Sequence, residues 1–191
     1  MFAQLRPALV MIVGLTVLTG LAYPLAMTGL AGLLFPHQAH GSLVVRDGVV
    51  VGSSLIGQAF TTDRYFHGRP SAAGASGYDA AASSGSNLGP LSAKLIERVK
   101  ADADRLRGEG MASLPGDAVT ASASGLDPHI SPDFAALQVN RVAMARQVPT
   151  ERVAAIVNQS IEDRFLGLIG EPRVNVLKLN MALDVQLKPG G

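Results

Sequence analysis

Cysteine and tryptophan are absent from this 191-residue chain, and aromatic residues make up only 5% of it. Without cysteine the chain forms no disulfide and lacks the thiolate ligands of the commonest structural zinc sites. Its four histidines, at positions 37, 40, 67 and 129, are scattered, so the sequence predicts no metal site. The formal net charge is only +1 and the basic residues form no stripe, which argues against a nucleic acid as partner.

Charge is missing from one long stretch near the N-terminus. No Asp, Glu, Lys or Arg occurs between Pro7 and Val45, and the first part, Ala8–Phe35, is almost wholly apolar. About 20 apolar residues cross a bilayer as a helix, and a helix satisfies its own backbone amides in lipid. We therefore predict a short N-terminal segment, residues 1–7, followed by a retained membrane-spanning helix over residues 8–34.

Three other interpretations of this stretch are open. A cleaved signal peptide has an apolar core of about 7–15 residues before a small-x-small site. Here the only such site, Gly29-Leu30-Ala31, lies inside the apolar run. A buried core helix usually has a polar face, and this segment has none. Two shorter helices broken at Pro24 are the third alternative, because proline removes a backbone hydrogen bond and kinks a helix.

Small residues recur along the predicted span, several of them four apart. Helices associate in lipid through close packing, and small residues allow a neighbouring helix to approach. Glycine and alanine are also simply common in membrane helices, which is the alternative explanation. If a partner helix docks here, the expected contact positions are Gly14, Thr16, Gly20, Ala22, Ala26, Thr28 and Gly32.

The few charges around the apolar stretch predict its orientation. The α-amino group and Arg6 precede it, whereas Arg46 and Asp47 follow at a distance. Basic residues concentrate on the cytoplasmic side of membrane helices. We therefore expect a cytoplasmic N-terminus and an extracytoplasmic C-terminal domain.

Beyond the span, residues 35–41 read as a linker and residues 42–191 as one soluble domain of modest core size. The domain opens on a predicted β-hairpin. Two β-branched runs, Leu43–Val45 and Val49–Val51, flank Asp47-Gly48, and an Asp-Gly pair in that setting is a strong turn signal.

Three helices and a final strand are predicted in the rest of the domain. The helices run from Pro90 to Arg107, from an N-cap at Ser131 to about Arg146, and from a cap at Thr150 with a buried stripe that ends at Ile161. Leu177–Leu187 alternates apolar and polar residues strictly, which predicts a half-buried strand, with a helix as the alternative. The expected fold is α+β: one N-terminal transmembrane helix, then a small extracytoplasmic domain with a short β-sheet covered by helices.

A serine-rich loop is the first place where chemistry is conceivable. Ser83–Asn87 precedes the predicted helix at Pro90, and amides at a helix N-terminus can hold an anion. No phosphate-loop lysine is present, and no Gly-x-Ser-x-Gly turn surrounds Ser84 or Ser86. Helix capping and tight turns explain the same residues, so an anion-binding module and a serine hydrolase built with His129 stay alternatives.

Asp127, His129 and Ser131 invite comparison with a catalytic triad. Residues at alternate positions of an extended backbone point to opposite sides, and a triad is defined by spatial geometry. Asp127 precedes Pro128 and is better explained as a turn residue that bonds to its own backbone. We expect no catalytic residue in this chain.

Five segments together resemble a known family. They are Arg69–Ala72, the Ser83–Pro90 loop, Val119–Pro132, Gln138–Ala143 and Gly170–Leu177. In this combination, behind one N-terminal span, they are similar to the C subunit of the Kdp-type potassium-transporting P-type ATPase.

The resemblance implies a subunit of a bacterial inner-membrane complex that imports potassium with ATP. In that family a channel-like A subunit carries the ion, a P-type B subunit hydrolyses ATP and a small F subunit adds a helix. The C subunit supports assembly and has been proposed as a catalytic chaperone that raises the ATP affinity of the B subunit. This chain lacks the P-type phosphorylation motif DKTGT. We expect it to be non-catalytic, single-pass and without a cofactor of its own, in a complex that uses ATP, Mg²⁺ and K⁺.

An extracytoplasmic domain lies across the membrane from cytosolic ATP, so we expect any effect on ATP affinity to be indirect. Contacts with partner subunits are expected from the residues of the family motifs. These are Arg69, Pro70, Ser71, Ser84, Gly85, Ser86, Asn87, Gly89, Pro90, Ser122, Gly125, Asp127, Pro128, His129, Ser131, Pro132, Arg141, Glu171, Pro172 and Asn175.

Overall fold

A computed structural model of the chain describes residues 2–187. Met1 and the last residues of the expected domain, 188–191, lie outside the described residues. The chain divides into two compact units, Met1–Val51 and Gly52–Gly191. Each is described separately below.

The N-terminal unit is dominated by one long helix. A 3₁₀ turn at Phe2–Gln4 leads into α1 (Leu5–Leu15), a π-helical stretch (Thr16–Ala22) and α2 (Tyr23–Leu34). Together these form a 33-residue helix, long and apolar enough to cross a bilayer and with none of its most apolar part buried within the protein. A short helix, α3 (Pro36–Ala39), follows it.

The π-helical stretch lies directly before Pro24. Proline has no N–H and its ring collides with the carbonyl four residues earlier in a regular α-helix. Here the N–H of Tyr23 bonds to the carbonyl oxygen of Leu18, five residues back, so the helix widens for one stretch instead of breaking. The alternative of two separate helices is therefore wrong: Phe2–Leu34 is one continuous helix.

The predicted hairpin is present. Strands β1 (Leu43–Arg46) and β2 (Val49–Ser53) pair with each other. The turn residues Asp47 and Gly48 both have positive φ, 51° and 79°. That pair of angles is what a two-residue type I′ turn requires, which is why Asp-Gly is favoured there.

Three helices of the second unit agree with the sequence patterns to different degrees. α4 spans Ala93–Gly108 and so begins three residues after Pro90, while α5 (Pro132–Arg146) begins and ends as predicted. The Ser131 hydroxyl caps α5 by accepting the N–H of Phe134 at 3.0 Å. α6 spans Thr150–Gln159 with Pro149, not Thr150, at the N-cap position.

The prediction of a strand at Leu177–Leu187 is wrong, because this segment forms α7 (Val176–Gln186). Asn175 starts the helix by accepting the N–H of Lys178 on its side-chain oxygen at 3.1 Å. The buried side chains follow helical spacing and include Asn180, which the strand pattern placed on the polar face. Val185, which that pattern placed on the buried face, is exposed. Leucines at 179, 183 and 187 fit both periodicities, and this overlap misled the prediction.

A small antiparallel sheet joins the helices of this unit. Its order is β3 (His129–Ile130), β5 (Arg173–Asn175), β4 (Ile161–Glu162), so the last strand lies between the other two. Ile161, predicted as the last residue in the buried stripe of the third helix, therefore belongs to strand β4 and not to α6. Ile130 and Ile161 both pair with Val174, and all three pack with the helices. The largest fully buried side chains are Phe66, Ile130, Leu179, Leu183, Gln138, Val142, Val153, Val174, Asn175 and Asn180.

Two buried carboxamides fix an extended segment against the helices. Asn180 of α7 accepts the N–H of Phe66 at 2.8 Å and donates to its carbonyl oxygen at 3.0 Å. Gln138 of α5 does the same for His67, at 2.7 and 3.1 Å. Each side chain thus replaces a strand neighbour and satisfies backbone groups that would otherwise be buried unpaired.

Candidate functional site

One face of the small sheet carries polar side chains, and the other carries Ile130, Ile161 and Val174. His129 pairs with Asn175 and Glu162 pairs with Arg173, so all four side chains belong to one face. The pairing brings His129 Nε2 to 3.9 Å from a Glu162 oxygen. Glu162 also binds Arg173 Nε at 3.2 Å and Lys178 Nζ at 2.8 Å.

Asp127 extends this group of charges toward the neighbouring loop. One of its oxygens accepts the backbone N–H of His129 at 3.0 Å and lies 3.3 Å from His129 Nδ1, which confirms the predicted turn. The other oxygen accepts Arg69 Nη1 at 3.0 Å. Ionisable side chains in close contact therefore run from Arg69 through Asp127 and His129 to Glu162. We call these four residues the charged row.

The charged row borders an open cleft of about 500 Å³. Six of the candidate residues from the sequence line it: Arg69, Asp127, His129, Ser131, Glu171 and Pro172. They come from three separate stretches of sequence, which the fold brings together.

Hydrogen bonds hold both carboxylates of the charged row in the ionised form. Burial alone would raise the pKa of Asp127, but the hydrogen bonds from His129 and the charge of Arg69 outweigh it and lower that pKa. The pKa of Glu162 is lowered chiefly by the hydrogen bond from Lys178, against a smaller opposing effect of burial. The cleft wall therefore keeps fixed charges at neutral pH.

Ser131 does not complete a triad with Asp127 and His129. Its hydroxyl donates to Asp117 Oδ1 at 2.9 Å, and its backbone N–H donates to Asp117 Oδ2 at 2.7 Å. With the Ser131 oxygen also accepting the N–H of Phe134, the side chain is fully used in capping α5. A serine nucleophile needs a base within hydrogen-bonding distance. The ring nitrogens of His129, the only base proposed for it, face the carboxylates of Asp127 and Glu162 instead.

The serine loop is tied to the segment that follows Ser122. The N–H of Ser84 and the hydroxyl of Ser83 both donate to the carbonyl oxygen of Ser124, at 2.9 and 3.0 Å. A Cβ on Gly85 would lie 2.9 Å from the carbonyl oxygen of Ala123, so glycine allows the close approach. The Ser84 hydroxyl donates to the carbonyl of Gly85, and no hydrogen bond within residues 2–187 joins Ser84 or Ser86 to His129.

Ser71 links three loops behind the cleft. Its hydroxyl donates to the carbonyl of Gly125 at 2.6 Å and accepts the N–H of Tyr78 at 2.7 Å. The Tyr78 hydroxyl in turn donates to the carbonyl oxygen of Arg69 at 2.6 Å. Burial, with the nearby charge of Asp127, raises the pKa of Tyr78 to about 12, so the phenol stays a hydrogen-bond donor.

Several other candidates lie apart from the cleft and bond within the domain. Arg141 donates to the carbonyl oxygens of Asp63 and Tyr65 and to Gln138 Oε1. Asn175 donates to the carbonyl oxygen of Ser54 at 2.9 Å. The remaining candidates lie in loops, except Pro132, which begins α5: Pro70, Asn87, Gly89, Pro90, Ser122, Gly125, Pro128 and Pro132. Their contacts with partners stay a prediction.

Comparison with known families decides what kind of protein carries this cleft. The family described as "KdpC: K+-transporting ATPase, c chain" matches residues 5–185, which is nearly the whole chain. The chain belongs to the KdpC family. The resemblance found in the sequence motifs is thereby confirmed, and with one candidate membrane helix the chain fits a single-pass membrane subunit of a potassium-transporting ATPase.

Full-length relatives agree with the family assignment. The chain is 61% identical over 196 residues to the potassium-transporting ATPase KdpC subunit of Methylobacterium nodulans, covering 96% of this chain and 98% of that protein. It is 59% identical to the subunit of the same name from Rhodopseudomonas palustris strain BisB5, over the same shares of the two chains. The Caulobacter vibrioides subunit is also 59% identical, over 99% of this chain and 96% of its own length.

Four charged residues of this KdpC-family cleft and its rim were not predicted from the sequence: Asp117, Glu162, Arg173 and Lys178. Three of them, Asp117, Glu162 and Lys178, stand outside the quoted motifs. They meet Ser131 and His129 only through the strand pairing and the start of α7. Arg173 sits within the quoted Gly170–Leu177 motif, which was the one available signal.

His67 makes the stability of the second unit depend on pH. Burial and the neighbouring charge of Arg141 lower the pKa of His67 below its ordinary value of 6.5. Below pH 6.5 the unfolded chain therefore binds more protons than the folded chain, and the free energy of unfolding falls as pH decreases toward the folded-state pKa. We expect His67→Gln to flatten this slope in urea titrations between pH 7.5 and 5.5.

His37→Gln, in the N-terminal unit, is the matched control and should keep the slope of the unsubstituted chain. An unchanged slope in His67→Gln would contradict the assignment. Asp127 and Glu162 add a second loss of stability at lower pH, because their folded pKa values are lowered and their contribution disappears as pH falls through them.

Proposed function

We propose that this chain is the non-catalytic accessory subunit of an ATP-driven potassium-uptake complex and is needed for assembly of that complex. The observation that carries the proposal is the Phe2–Leu34 helix, whose large apolar side chains are exposed within residues 2–187. A helix that is apolar on all sides needs lipid or other membrane helices around it. Family membership supplies the complex to which those helices belong.

The proposed partners are those that the family resemblance implies: a channel-like A subunit, a P-type B subunit and a small F subunit. ATP, Mg²⁺ and K⁺ are then used by the complex and not held by this chain. Within residues 2–187, no group of three His, Asp or Glu side chains is arranged to hold a metal ion. The cleft described above is the proposed contact region of the domain with a partner subunit.

The first test is purification of the intact complex in mild detergent. A tagged chain should bring down a large ATP-hydrolysing subunit and a many-span channel protein, both identified by mass spectrometry. Recovery of the chain alone, or only with copies of itself, would contradict the proposal.

Orientation in the membrane decides how the subunit acts on ATP. With Arg6 on the cytoplasmic side of a bacterial inner membrane, the domain lies on the opposite, extracytoplasmic side. Any effect of the domain on ATP affinity is then indirect and acts by shifting the conformations of the pump. We expect alkaline phosphatase fused after Gly191 to be active and green fluorescent protein fused there to be dark. The opposite pattern would allow direct contact with cytosolic ATP and would overturn the indirect mechanism.

Close helix docking is testable at glycines that the chain itself leaves open. A Cβ at Gly14 or Gly32 would meet nothing within 4 Å, so a larger side chain there causes no collision within this chain. We expect Gly14→Leu and Gly32→Leu to reduce recovery of the assembled complex about tenfold, because they push a partner helix away. Ala8→Leu adds a similar volume outside the small-residue set and should leave recovery unchanged. Equal effects of all three variants would argue against specific docking.

A further inference from the structure

The loop between β4 and β5 ends in an apolar tip. We use this name for residues 165–169, Phe165-Leu166-Gly167-Leu168-Ile169. All four large side chains are exposed, between 65% for Ile169 and 83% for Leu168. Single exposed apolar residues are ordinary on protein surfaces, but four large ones on one short loop are not. The tip therefore has the character of a surface that another molecule covers.

Backbone hydrogen bonds make the apolar tip a defined structure. Phe165 and Ile169 form a bridge, with the N–H of Phe165 donating to the carbonyl of Ile169 at 2.9 Å and the N–H of Ile169 returning a bond at 3.0 Å. Leu166 has a φ of 52°, a left-handed conformation that leucine rarely adopts, and Gly167 follows with 72°. An ion pair of 2.8 Å between Arg164 and Glu171 closes the base of the loop.

A strained and closed loop of this kind presents its side chains in one fixed arrangement. The strained conformation does not stabilise the fold of the domain, since the four large side chains of the tip are exposed. A binding surface does benefit, because less conformational freedom is lost when a partner covers it. An aromatic and three aliphatic side chains with charged residues around them also match the core and rim of a protein interface.

Charge argues against a lipid surface as the occupant. The flanking residues 162–173 carry Glu162, Asp163 and Glu171 against Arg164 and Arg173, so the rim is net negative. Bilayer surfaces with anionic lipids attract basic rims, and loops that insert in the interface use tryptophan, tyrosine, lysine and arginine near the apolar residues. The apolar tip has neither tryptophan nor tyrosine.

Size argues against a dimer of this chain made through the tip. A stable free-standing interface contains about 20–30 residues on each side, and the tip has five. It is large enough to add to a contact between chains that other surfaces already hold together. The tip also adjoins the cleft, because Glu171 and Pro172 belong to the cleft wall.

We propose that the apolar tip inserts into a non-polar recess on the water-facing surface of another subunit of the potassium-transporting ATPase. The proposal rests on the proposed function, since it requires an assembled complex. It adds a second attachment point to the membrane helix. Burial of the Leu168 side chain alone is expected to slow dissociation of this subunit from the complex about tenfold.

Photo-cross-linking in the intact complex tests the contact directly. A benzophenone amino acid replaces Leu168 in the full chain, and the same amino acid replaces Met144, a 79% exposed position on α5, in the control. The complex is purified after irradiation. We expect a cross-link from position 168 to another ATPase subunit and little from position 144.

Cross-links from position 168 only to lipid, only to a second copy of this chain, or to nothing would overturn the tip proposal. The other subunits copurify in each of those cases, so the proposed function would stand. Failure of any subunit to copurify with the unsubstituted chain would instead defeat the proposed function and the tip proposal together.

Side-chain replacement gives an independent measurement. Leu168→Ser in the assembled complex should speed the loss of this subunit during washing in detergent about tenfold, because the recess loses its apolar partner. Met144→Ser removes a similar apolar side chain outside the tip and should leave the rate unchanged. Equal rates in the two variants would overturn the proposal, and unchanged circular dichroism confirms that both fold.

Discussion

Replacing Gly125 by alanine is expected to destabilise the second unit by about 3 kcal/mol. Gly125 has a φ of 67°, where a Cβ is disfavoured by about 1–2 kcal/mol. The added Cβ would also lie 2.6 Å from the carbonyl oxygen of Ser84 and 2.7 Å from the backbone nitrogen of Ala73. Such overpacking costs about 1–3 kcal/mol when the neighbours are backbone. Urea unfolding of the full chain in mild detergent, followed by far-ultraviolet circular dichroism, measures the change.

Two other glycines separate the causes of this effect. Gly110 has a φ of 91° but open space around it, so Gly110→Ala should show the conformational part alone, about 1–2 kcal/mol. Gly116 has neither a positive φ nor a near neighbour, and Gly116→Ala should change stability little. If Gly125→Ala were no worse than Gly110→Ala, the close packing of the serine loop on the Ser122–Gly125 segment would not be supported.

Replacing Asn180 by leucine is expected to cost about 2–5 kcal/mol. Leucine keeps the branched shape of asparagine but offers no hydrogen bond, so the N–H and the carbonyl of Phe66 would both lose their partner in the core. Each unsatisfied buried backbone group costs about 1–3 kcal/mol. We also expect faster proteolysis of the segment around Phe66, which supplies Arg69 to the cleft three residues later.

An exposed amide provides the control for this substitution. Asn158 lies on the exposed side of α6, and Asn158→Leu should change the free energy of unfolding by less than about 0.5 kcal/mol. Gln138→Leu is expected to resemble Asn180→Leu, because Gln138 bonds the backbone of His67 in the same way. A small effect at Asn180 would show that the Phe66 segment is held by apolar packing rather than by the two carboxamides.

Local patterns predicted the elements whose causes are local. The hairpin follows from Asp47-Gly48 between β-branched runs, and α5 follows from Ser131 before Pro132, since a turn angle and a cap depend on neighbours in sequence. The segment after Asn175 shows the limit. Its apolar pattern fits two periods, and the choice of helix depends on burial of Asn180 against Phe66, a contact across 114 residues.

The residues of the candidate cleft differ in the same way. Asp127 was predictable as a turn residue because its partner is the N–H of His129, two positions on. The side-chain contact between His129 and Glu162 was not predictable, because their strands are joined by a third strand that comes last in the chain. Side-chain contacts of this kind have no sequence spacing from which to infer them.

By itself, then, the sequence determined the membrane helix, the family and the local turns and caps, because hydrophobic length, motif combination and backbone angles are properties of neighbouring residues. Only the tertiary structure decided that α7 is a helix, that six motif residues share one cleft and that four apolar side chains stand exposed on one tip. Those outcomes depend on which distant segments pack together, and burial and strand register, not local propensity, set that choice.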